Sequence, residues 1–292
     1  MKHILITGVN SYVGNSLADW LNKQPDKYKI EKISLRNDKW KQHDFSRYDV
    51  IVHVAGIAHV STEPKMEELY YKINRDLTIE VAKKAKSEGV KQFIFLSSII
   101  VYGEVKENNG IITKDTIPNP SNFYGKSKLE AEKGIESLQS EHFKIAIIRP
   151  PMIYGKGSKG NYPKLAKLAR ITPIFPDYDN KRSMIHIDNL TEFIRLIIDN
   201  EDSGLFFPQN AEYVKTSEMV RVISEVYNKK VFLVKWFNPI IRIMKNRLEL
   251  VNKMFGDLAY EKSLSHYKYN YWIRDFISSI EATESTESGF HT

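Results

Sequence analysis

The chain has 292 residues, a formal net charge of +7 and 42% hydrophobic residues, which is enough for one α/β domain with an additional smaller lobe. It contains no cysteine, which excludes disulfides, thiolate metal sites and a cysteine nucleophile and is typical of a reducing compartment. We find no signal-peptide pattern and no apolar run of roughly 18 residues, and therefore expect a cytoplasmic protein. The positive charge admits an anionic partner.

Strands and helices alternate over the first half of the chain. Short β-branched or aromatic runs predict buried strands at residues 4–7, 29–35, 49–55, 92–97 and 144–148. Apolar periodicity predicts helices at residues 15–23, 65–88 and 124–138. This alternation predicts an α/β fold with a Rossmann-type doubly wound parallel sheet, which binds ligands at the carboxyl ends of its strands.

The pattern loosens after about residue 151, where prolines interrupt it and helices are predicted at 188–199 and 217–227. We therefore divide the chain into three parts. These are an NAD(P)-binding domain at 1–155 with segments that return to it, a smaller substrate-binding lobe mainly at 156–280, and a flexible tail at 281–292.

A glycine-containing loop follows the first predicted strand. In Gly8-x-x-Ser11-x-x-Gly14, Gly8 permits a tight turn, Gly14 permits close helix packing, and Ser11 replaces the usual middle glycine. Such a turn lets backbone N–H groups approach a pyrophosphate, although many ordinary strand–helix turns also carry two glycines. The candidate cofactor-binding residues of this loop are Gly8, Asn10, Ser11, Tyr12, Val13 and Gly14.

Arg36 follows the second predicted strand, where a carboxylate normally binds the adenosine ribose of NAD. A guanidinium at this place suits a 2′-phosphate, so NADP is favoured and NAD is the alternative. A solvated surface arginine would explain the residue equally simply, and Asp38 lies only two residues further on.

Tyr124 and Lys128 are four residues apart on one face of a predicted helix. A nearby ammonium lowers the pKa of a tyrosine, which then acts as an acid or base on a carbinol or carbonyl oxygen. The same lysine can hold the ribose hydroxyls of a nicotinamide nucleotide. Upstream, Ser97 and Ser98 end a predicted strand, and Ser98 is placed to orient the reacting oxygen. Each feature alone is common, but their order predicts an oxidoreductase.

Seven ordered motifs carry a family resemblance. They are Thr7-Gly8 to Gly14, His53 to Gly56, Asn74 with Thr78, Ser97-Ser98 to Gly103, Tyr124 with Lys128, Arg149-Pro150 to Gly155, and Arg182 to Asp188. On these motifs, the first 235 residues or so resemble the extended short-chain dehydrogenase/reductases that act as nucleotide-sugar epimerases, dehydratases and reductases. The resemblance implies that Ser98, Tyr124 and Lys128 are catalytic.

The resemblance also implies further binding residues. The cofactor would contact Arg36, the catalytic pair, and Ala55, Gly56, Asn74, Ser97, Pro151 and Ile153. For a UDP-sugar substrate, Asn161 and Arg182 match diphosphate-contacting positions, Phe175 matches the residue that packs on the uracil, and Ser98 touches the sugar. From the residues alone, Phe175 would be a core residue and Arg182 a solvated charge. No ligand spacing predicts a metal site, and His186 is expected to be structural.

Residues 236–255 combine apolar side chains with lysines and arginines. Such a segment either covers the lobe as a helix, which we favour, or lies on an anionic membrane surface. It also resembles the carboxyl-terminal part of bacterial polysaccharide-pathway enzymes that act on UDP-linked 4-keto-6-deoxy-N-acetylhexosamines.

The resemblance therefore implies chemistry at C4 of a UDP-sugar. We favour an NADPH-dependent reductase of a UDP-4-keto-6-deoxy-N-acetylhexosamine, with an NAD-dependent 4-epimerase as the alternative and a redox-inactive NADP-binding regulator as a distant one. A 4,6-dehydratase is disfavoured because Ser97-Ser98-Ile99 lacks the carboxylate of that subclass. No basic–aromatic motif predicts nucleic-acid binding, and a homodimer is left open.

Overall fold

The computed structural model describes residues 1–57, 63–105, 107–245 and 247–285. Its strands are β1 (Lys2–Thr7), β2 (Tyr28–Ile33), β3 (Val50–His53), β4 (Gln92–Leu96), β5 (Ile111–Ile112), β6 (Lys144–Ile148), β7 (Met152–Tyr154), β8 (Ile174–Pro176), β9 (Met184–His186), β10 (Gly204–Phe206), β11 (Phe232–Val234) and β12 (Ala259–Tyr260). Its helices are α1 (Tyr12–Leu21), α2 (Glu67–Tyr70), α3 (Leu77–Ser87), α4 (Phe123–Glu136), α5 (Asn161–Ile171), α6 (Ile187–Asn200), α7 (Thr216–Val226), α8 (Asn238–Met244), α9 (Glu249–Phe255) and α10 (Phe276–Glu284).

The central sheet has six strands in the order β10-β6-β4-β3-β1-β2, and every neighbouring pair is parallel. From β1 the chain first moves outward to β2 and then returns to the other side of β1 to form β3. The strand order therefore reverses between β1 and β3, and in a doubly wound sheet ligands bind at the carboxyl ends of the strands at this reversal. This topology confirms the predicted Rossmann-type fold.

Successive residues of the buried strands face opposite layers, as the period of a strand requires. In β1, Ile4 and Ile6 pack with α1 and α6, whereas Leu5 packs with α3 and α4 on the other side. Both faces of the sheet are thus covered, which explains why the sequences of its inner strands are continuously apolar rather than alternating.

The predicted elements differ from the observed ones mainly at their ends. Helix α1 begins at Tyr12, three residues before the predicted start, because the Ser11 side chain caps it. The helix predicted at 65–88 is divided into α2 and α3 by a π-helical turn at Tyr71–Asp76. Residues 236–255 form two short helices, α8 and α9, rather than one.

The carboxyl-terminal half contributes to both parts of the molecule. Helix α6 packs on α1, and β10 extends the central sheet beside β6. The remaining segments enclose a second core that includes Tyr162, Met219 and Ile223, with the parallel pairs β7·β9 and β8·β11 at its edge. Within the described ranges, the structure contains no helix long and apolar enough to cross a membrane.

Residues 281–284 of the predicted flexible tail are helical, because α10 continues to Glu284. The Glu284 carboxylate is buried and accepts hydrogen bonds from the hydroxyls of Tyr162 and Tyr227, both at 2.8 Å, and from Arg170 at 2.6 Å. These contacts fix the end of α10 on the lobe. Residues 286–292 of the predicted tail lie outside the described residues.

A buried ion pair joins α4 to the end of β6. The Arg149 Nε donates to both Glu132 carboxylate oxygens at 3.1 and 3.2 Å, and the side chains are 7% and 5% exposed. Arg149 also donates to the Tyr102 hydroxyl at 2.7 Å, and the Ser97 hydroxyl donates to Glu132. The charges are therefore fully paired although they lie in the interior.

We predict that Glu132→Ala lowers the free energy of unfolding by about 3–5 kcal/mol, because it leaves the Arg149 guanidinium buried without its partner. Glu218→Ala is the matched control, since the Glu218–Arg221 pair on α7 is 40% and 38% exposed and is expected to contribute about 0–1 kcal/mol. Urea denaturation measures both. Equal losses in the two variants would contradict a structural role for the buried pair.

Candidate functional site

The loop between β1 and α1 lies at the point where the strand order reverses. Gly8 has φ of +88°, and a Cβ atom built on it would lie 3.2 Å from the Cα atom of Ala55, which follows β3. A glycine is thus required both by the backbone conformation and by the close approach of the two chain segments. The Ser11 hydroxyl accepts a hydrogen bond from the Gly14 N–H at 3.2 Å and begins α1. The loop therefore presents backbone N–H groups at a helix N-terminus, which suits a pyrophosphate.

Other predicted residues of this loop have different surroundings. Asn10 is exposed, whereas the Val13 side chain is buried in the core between the sheet and α1. The Tyr12 hydroxyl is buried and has no hydrogen-bond partner among the described residues, and burial, with a smaller effect of Asp188, raises its pKa. Any cofactor contact of Val13 would therefore come from its backbone, whereas the contact of the half-buried Tyr12 stays a prediction.

A chain of buried hydrogen bonds runs from β1 through His53 to Asn74. Thr78 donates to the Asn74 carbonyl at 2.8 Å, so the Nε2–H of His53 donates to Thr78 at 3.0 Å. The Nδ1 of His53 then accepts from the Thr7 hydroxyl at 3.0 Å. Burial, assisted by the charge of Lys128, lowers the pKa of His53 to about 3, so the ring is neutral. The motif His53 to Gly56 does not by itself indicate this role, because the partners Thr7 and Thr78 are distant in sequence.

Asn74 continues the chain of contacts to α4. Its side-chain oxygen accepts from the Ile57 N–H at 2.8 Å, and its amide donates to the Ile57 carbonyl and to the Ser127 hydroxyl, both at 3.1 Å. Ser127 in turn donates to the Tyr124 carbonyl at 3.0 Å. The amide is thus fully used within the protein. Asn74 therefore positions α4 beside Gly56, whereas its contact with a cofactor stays a prediction.

Lys128 is buried at the same edge of the sheet. Its Nζ donates to the Leu96 carbonyl at 2.9 Å and lies 4.6 Å from the centroid of the Phe95 ring. Burial lowers the pKa of Lys128 to about 8, and the Glu132 carboxylate opposes this shift. The lysine is therefore charged at neutral pH but close to the point where it loses its proton.

Tyr124 lies in the first turn of α4, which begins at the Asn122 cap with a hydrogen bond of 2.9 Å from the Gly125 N–H. A Cβ atom at Gly125 would lie 2.8 Å from the Ile100 carbonyl oxygen, so only glycine allows this close approach. The Tyr124 phenol at this place is influenced by the Ser98 side chain, which works against the rise in the Tyr124 pKa that burial causes.

The expectation that Lys128 lowers the pKa of Tyr124 is wrong for this structure. Burial raises the pKa of the Tyr124 phenol, the hydrogen bond with Ser98 opposes the shift, and Tyr70 adds to it. The physical reason is that the lysine donates to Leu96 and is itself disfavoured as a cation by burial. The phenol is consequently protonated at neutral pH.

The two predicted serines have different environments. The Ser97 hydroxyl is buried and donates to Glu132, so its side chain is occupied within the protein. Ser98 is half-buried and caps a short 3₁₀ turn by accepting from the Ile100 N–H at 3.3 Å. Of the two, Ser98 is the one whose hydroxyl can reach a substrate.

The remaining predicted cofactor residues lie on two sides of the site. Arg36 is exposed three residues after β2, and β2 meets the glycine-containing loop where the Gly8 N–H donates to the Ile33 carbonyl at 2.8 Å. On the opposite side, the Ile99 N–H donates to the Pro150 carbonyl at 2.9 Å. This bond brings the segment with Pro151 and Ile153 next to the strand end that carries Ser98.

The predicted substrate residues do not all face one site. Phe175 is 4% exposed and its ring lies 5.8 Å from that of Phe255. It therefore lies in the core of the lobe, because the alternation of β8 turns its side chain inward, and its contact with a uracil stays a prediction. Arg182 donates to the Gly256 carbonyl at 3.0 Å, and burial lowers its pKa. Asn161 is exposed at the first position of α5.

His186 is a structural residue, as expected. Its Nδ1 accepts from the Asp188 N–H at 3.2 Å at the start of α6, and burial lowers its pKa to about 4. Among the residues that the structure covers, no group of three or more histidine, aspartate or glutamate side chains is arranged to hold a metal ion.

Comparisons with known proteins place this arrangement in a family context. Residues 4–206 match the NAD dependent epimerase/dehydratase family. The chain is 30% identical to UDP-glucose 4-epimerase from Vibrio cholerae over 91% of the chain and 89% of that protein.

Two solved structures share the fold. The UDP-glucuronic acid 4-epimerase from Bacillus cereus, in complex with NAD, has a TM-score of 0.73 and 18% identity, with 96% of this chain and 94% of that chain covered. The dTDP-4-dehydrorhamnose reductase from Bacillus anthracis, in complex with NADP, has a TM-score of 0.65 and 23% identity, with 81% and 85% covered.

We predict that Gly8→Ala raises the dissociation constant for NADH or NADPH by about tenfold or more, because the added methyl group pushes the loop away from Ala55. Gly89→Ala is the matched control. Gly89 also has a positive φ, +80°, but a Cβ atom there meets nothing within 4 Å. Fluorescence titration measures the affinities. Unchanged affinity in Gly8→Ala, or an equal loss in both variants, would contradict the assignment of the loop.

Proposed function

Because the chain belongs to the NAD dependent epimerase/dehydratase family, we propose that it reduces the C4 carbonyl of a UDP-4-keto-6-deoxy-N-acetylhexosamine with NADPH. The observation that carries this direction is the exposed guanidinium of Arg36 after β2, which suits the 2′-phosphate of an exchangeable NADPH. The Tyr124 phenol, whose pKa burial raises, is protonated at neutral pH and can donate the proton that reduction requires.

The side chains at the end of β4 and the start of α4 have separate roles in this reduction. When bound, the nicotinamide supplies the hydride that forms the new C–H bond at C4. The Tyr124 hydroxyl donates its proton to the C4 oxygen as that oxygen becomes an alkoxide, so the carbonyl becomes a carbinol. Ser98 holds the same oxygen in line with Tyr124. The Lys128 ammonium is fixed on the Leu96 carbonyl by one of its three N–H donors, and the other two can hold the ribose hydroxyls of the nicotinamide nucleotide.

The preference for NADPH is supported by the end of β2. Arg36 is exposed beside the glycine-containing loop, where a guanidinium can pair with a 2′-phosphate. The nearest carboxylate in sequence is that of Asp38, which is 88% exposed. It pairs with Lys41 at 3.3 Å and is therefore directed towards that lysine instead of an adenosine ribose. A cofactor that exchanges at each turnover fits a reductase.

Arg182 supports a substrate that carries a diphosphate. Burial lowers the pKa of its guanidinium, with only a partial compensating effect of Asp257. Its observed hydrogen bond goes to a neutral carbonyl, that of Gly256. A guanidinium has five N–H donors, so this half-buried cation retains donors for phosphate oxygens, and the UDP group would neutralise it.

A UDP-sugar 4-epimerase is the second candidate, and the similarity to the Vibrio cholerae enzyme over 91% of this chain favours it. An epimerase first oxidises C4 and then reduces the other face, so it retains its NAD through each cycle. Denaturing the purified protein and identifying the released nucleotide distinguishes the two. Stoichiometric NAD would support the epimerase, whereas an empty protein that consumes NADPH would support the reductase.

We predict that Tyr124→Phe lowers kcat by about 10²–10⁴-fold, because the acid is lost, while the dissociation constant for NADPH stays within about twofold of the wild-type value. The control is Tyr71→Phe, which removes a half-buried phenol from the neighbouring π turn and should leave kcat unchanged. Turnover of the keto-sugar is followed by NADPH absorbance. Wild-type turnover in Tyr124→Phe would remove the proposed proton donor.

We predict that kcat/KM is constant at neutral pH and falls as the pH rises above about 8. The pKa of Lys128 is lowered to about 8, so its charge is present below that pH and lost above it, whereas the raised pKa of Tyr124 keeps the phenol protonated. Lys128→Arg should move the alkaline limb to higher pH, because arginine does not lose its proton. Lys126→Met, on the exposed side of α4, serves as the control. If the alkaline limb of kcat/KM in Lys128→Arg lay at the same pH as in the wild type, the titration would belong to another group.

A further inference from the structure

One surface of the carboxyl-terminal lobe is apolar and basic at the same time. It is formed by β8, β11, α8 and the residue that precedes α9, and we call it the apolar–basic surface. Its apolar side chains are between 43% and 75% exposed and comprise Ile174, Phe232, Trp236, Phe237, Ile240, Ile243 and Leu248. Single exposed apolar residues are ordinary, but a group of seven on adjoining elements marks an interaction surface.

The exposed apolar side chains adjoin one another. Phe232 of β11 is the register partner of Ile174 of β8. Two residues after β11, the ring of Trp236 stacks on that of Phe237 with 6.3 Å between centroids and 8° between planes. Ile240 and Ile243 continue one face of α8 at helical spacing.

The opposite face of α8 is anchored in the lobe. Ile241 is 7% exposed and belongs to the same core as Phe175 and Phe255. The helix therefore rests on the lobe by one side and presents its other apolar side outward. Residues 236–255 were expected to cover the lobe. Helix α8 does so with one side and leaves its other apolar side exposed to solvent.

The charged side chains of residues 229–247, which include β11 and α8, are all positive. This segment contains six lysines and arginines and no aspartate or glutamate. Arg242 and Arg247 are exposed, and Lys230 lies 5.4 Å from the centroid of the Phe232 ring. The acidic contacts come from outside the segment, at 3.9 Å from Asp177 to Lys235 and at 3.8 Å from Asp257 to Lys245. Cations thus surround exposed apolar side chains.

We propose that the apolar–basic surface docks on an anionic lipid bilayer, with Trp236, Ile240 and Ile243 entering the headgroup region and the surrounding cations contacting acidic lipids. A bilayer of this kind satisfies both properties of the surface, because it accepts apolar side chains at its interface and attracts cations. A second copy of the chain does not, since a two-fold contact would bring the same six cations against one another. The helix lies in the plane of the interface and does not span it.

The test is co-sedimentation of the full chain with lipid vesicles. The protein is expected to bind vesicles of phosphatidylcholine mixed with phosphatidylglycerol, to bind pure phosphatidylcholine weakly, and to be released by high salt, which screens the cations. The double variant Ile240→Glu/Ile243→Glu should lower the bound fraction by about tenfold or more. Arg242→Ala/Arg247→Ala should reduce binding and weaken its dependence on acidic lipid.

The matched control is Ile277→Glu on α10, where the isoleucine is 56% exposed, compared with 55% for Ile240 and 60% for Ile243. It should bind vesicles like the wild type. Quenching by brominated lipids adds a direct readout, since the quenched signal should disappear in Trp236→Phe. Equal thermal unfolding midpoints for all variants verify that the fold is retained.

Three results would overturn the proposal. They are failure of the wild-type protein to bind acidic vesicles, retained binding in Ile240→Glu/Ile243→Glu, and loss of binding in Ile277→Glu alone. Analytical ultracentrifugation tests the competing occupant. A wild-type dimer that Ile243→Glu dissociates, together with no vesicle binding, would assign the surface to a second copy of the chain.

Discussion

The buried hydrogen-bond chain through the neutral His53 ring is the interaction on which the site depends. It connects the end of β1, at Thr7, with Thr78 on α3 and, through the Asn74 carbonyl, with the residues that hold α4. The glycine-containing loop and the helix that carries Tyr124 and Lys128 are thereby fixed relative to each other across two strands. This arrangement requires an uncharged imidazole with its proton on Nε2, and complete burial provides it by lowering the pKa to about 3.

Burial shifts the pKa values of Tyr124 and Lys128 in opposite directions. It raises the pKa of the Tyr124 phenol, which keeps the phenol protonated, and lowers that of Lys128, which leaves the cation close to neutrality. A bound ligand that carries negative charge would restore the preference for the lysine cation. The same reasoning applies to the half-buried guanidinium of Arg182, whose pKa is lowered by desolvation more than Asp257 raises it. Desolvation, more than neighbouring carboxylates, therefore sets the charge preference of these two cations in the free protein.

The parts that follow local patterns were predictable from the sequence. The strand at 144–148 was predicted at its observed bounds, and the order of strands and helices indicated the doubly wound sheet. Contacts between distant residues were not predictable in this way. The Glu132–Arg149 pair joins residues 17 apart on different elements, and the partners of Glu284 lie up to 122 residues away. The burial of Phe175 and the direction of the Tyr124 pKa depend on the packing around them, which no motif records.

The central claim is that an exchangeable NADPH delivers its hydride to C4 while Tyr124 delivers the proton. Isotope transfer tests it most directly, with NADPH deuterated at the transferable position and a UDP-4-keto-6-deoxy-N-acetylhexosamine as the substrate. One deuterium at C4 of the sugar product is expected for each NADPH consumed, as read by mass spectrometry and nuclear magnetic resonance. Product formed without deuterium at C4, or without consumption of NADPH, would contradict it.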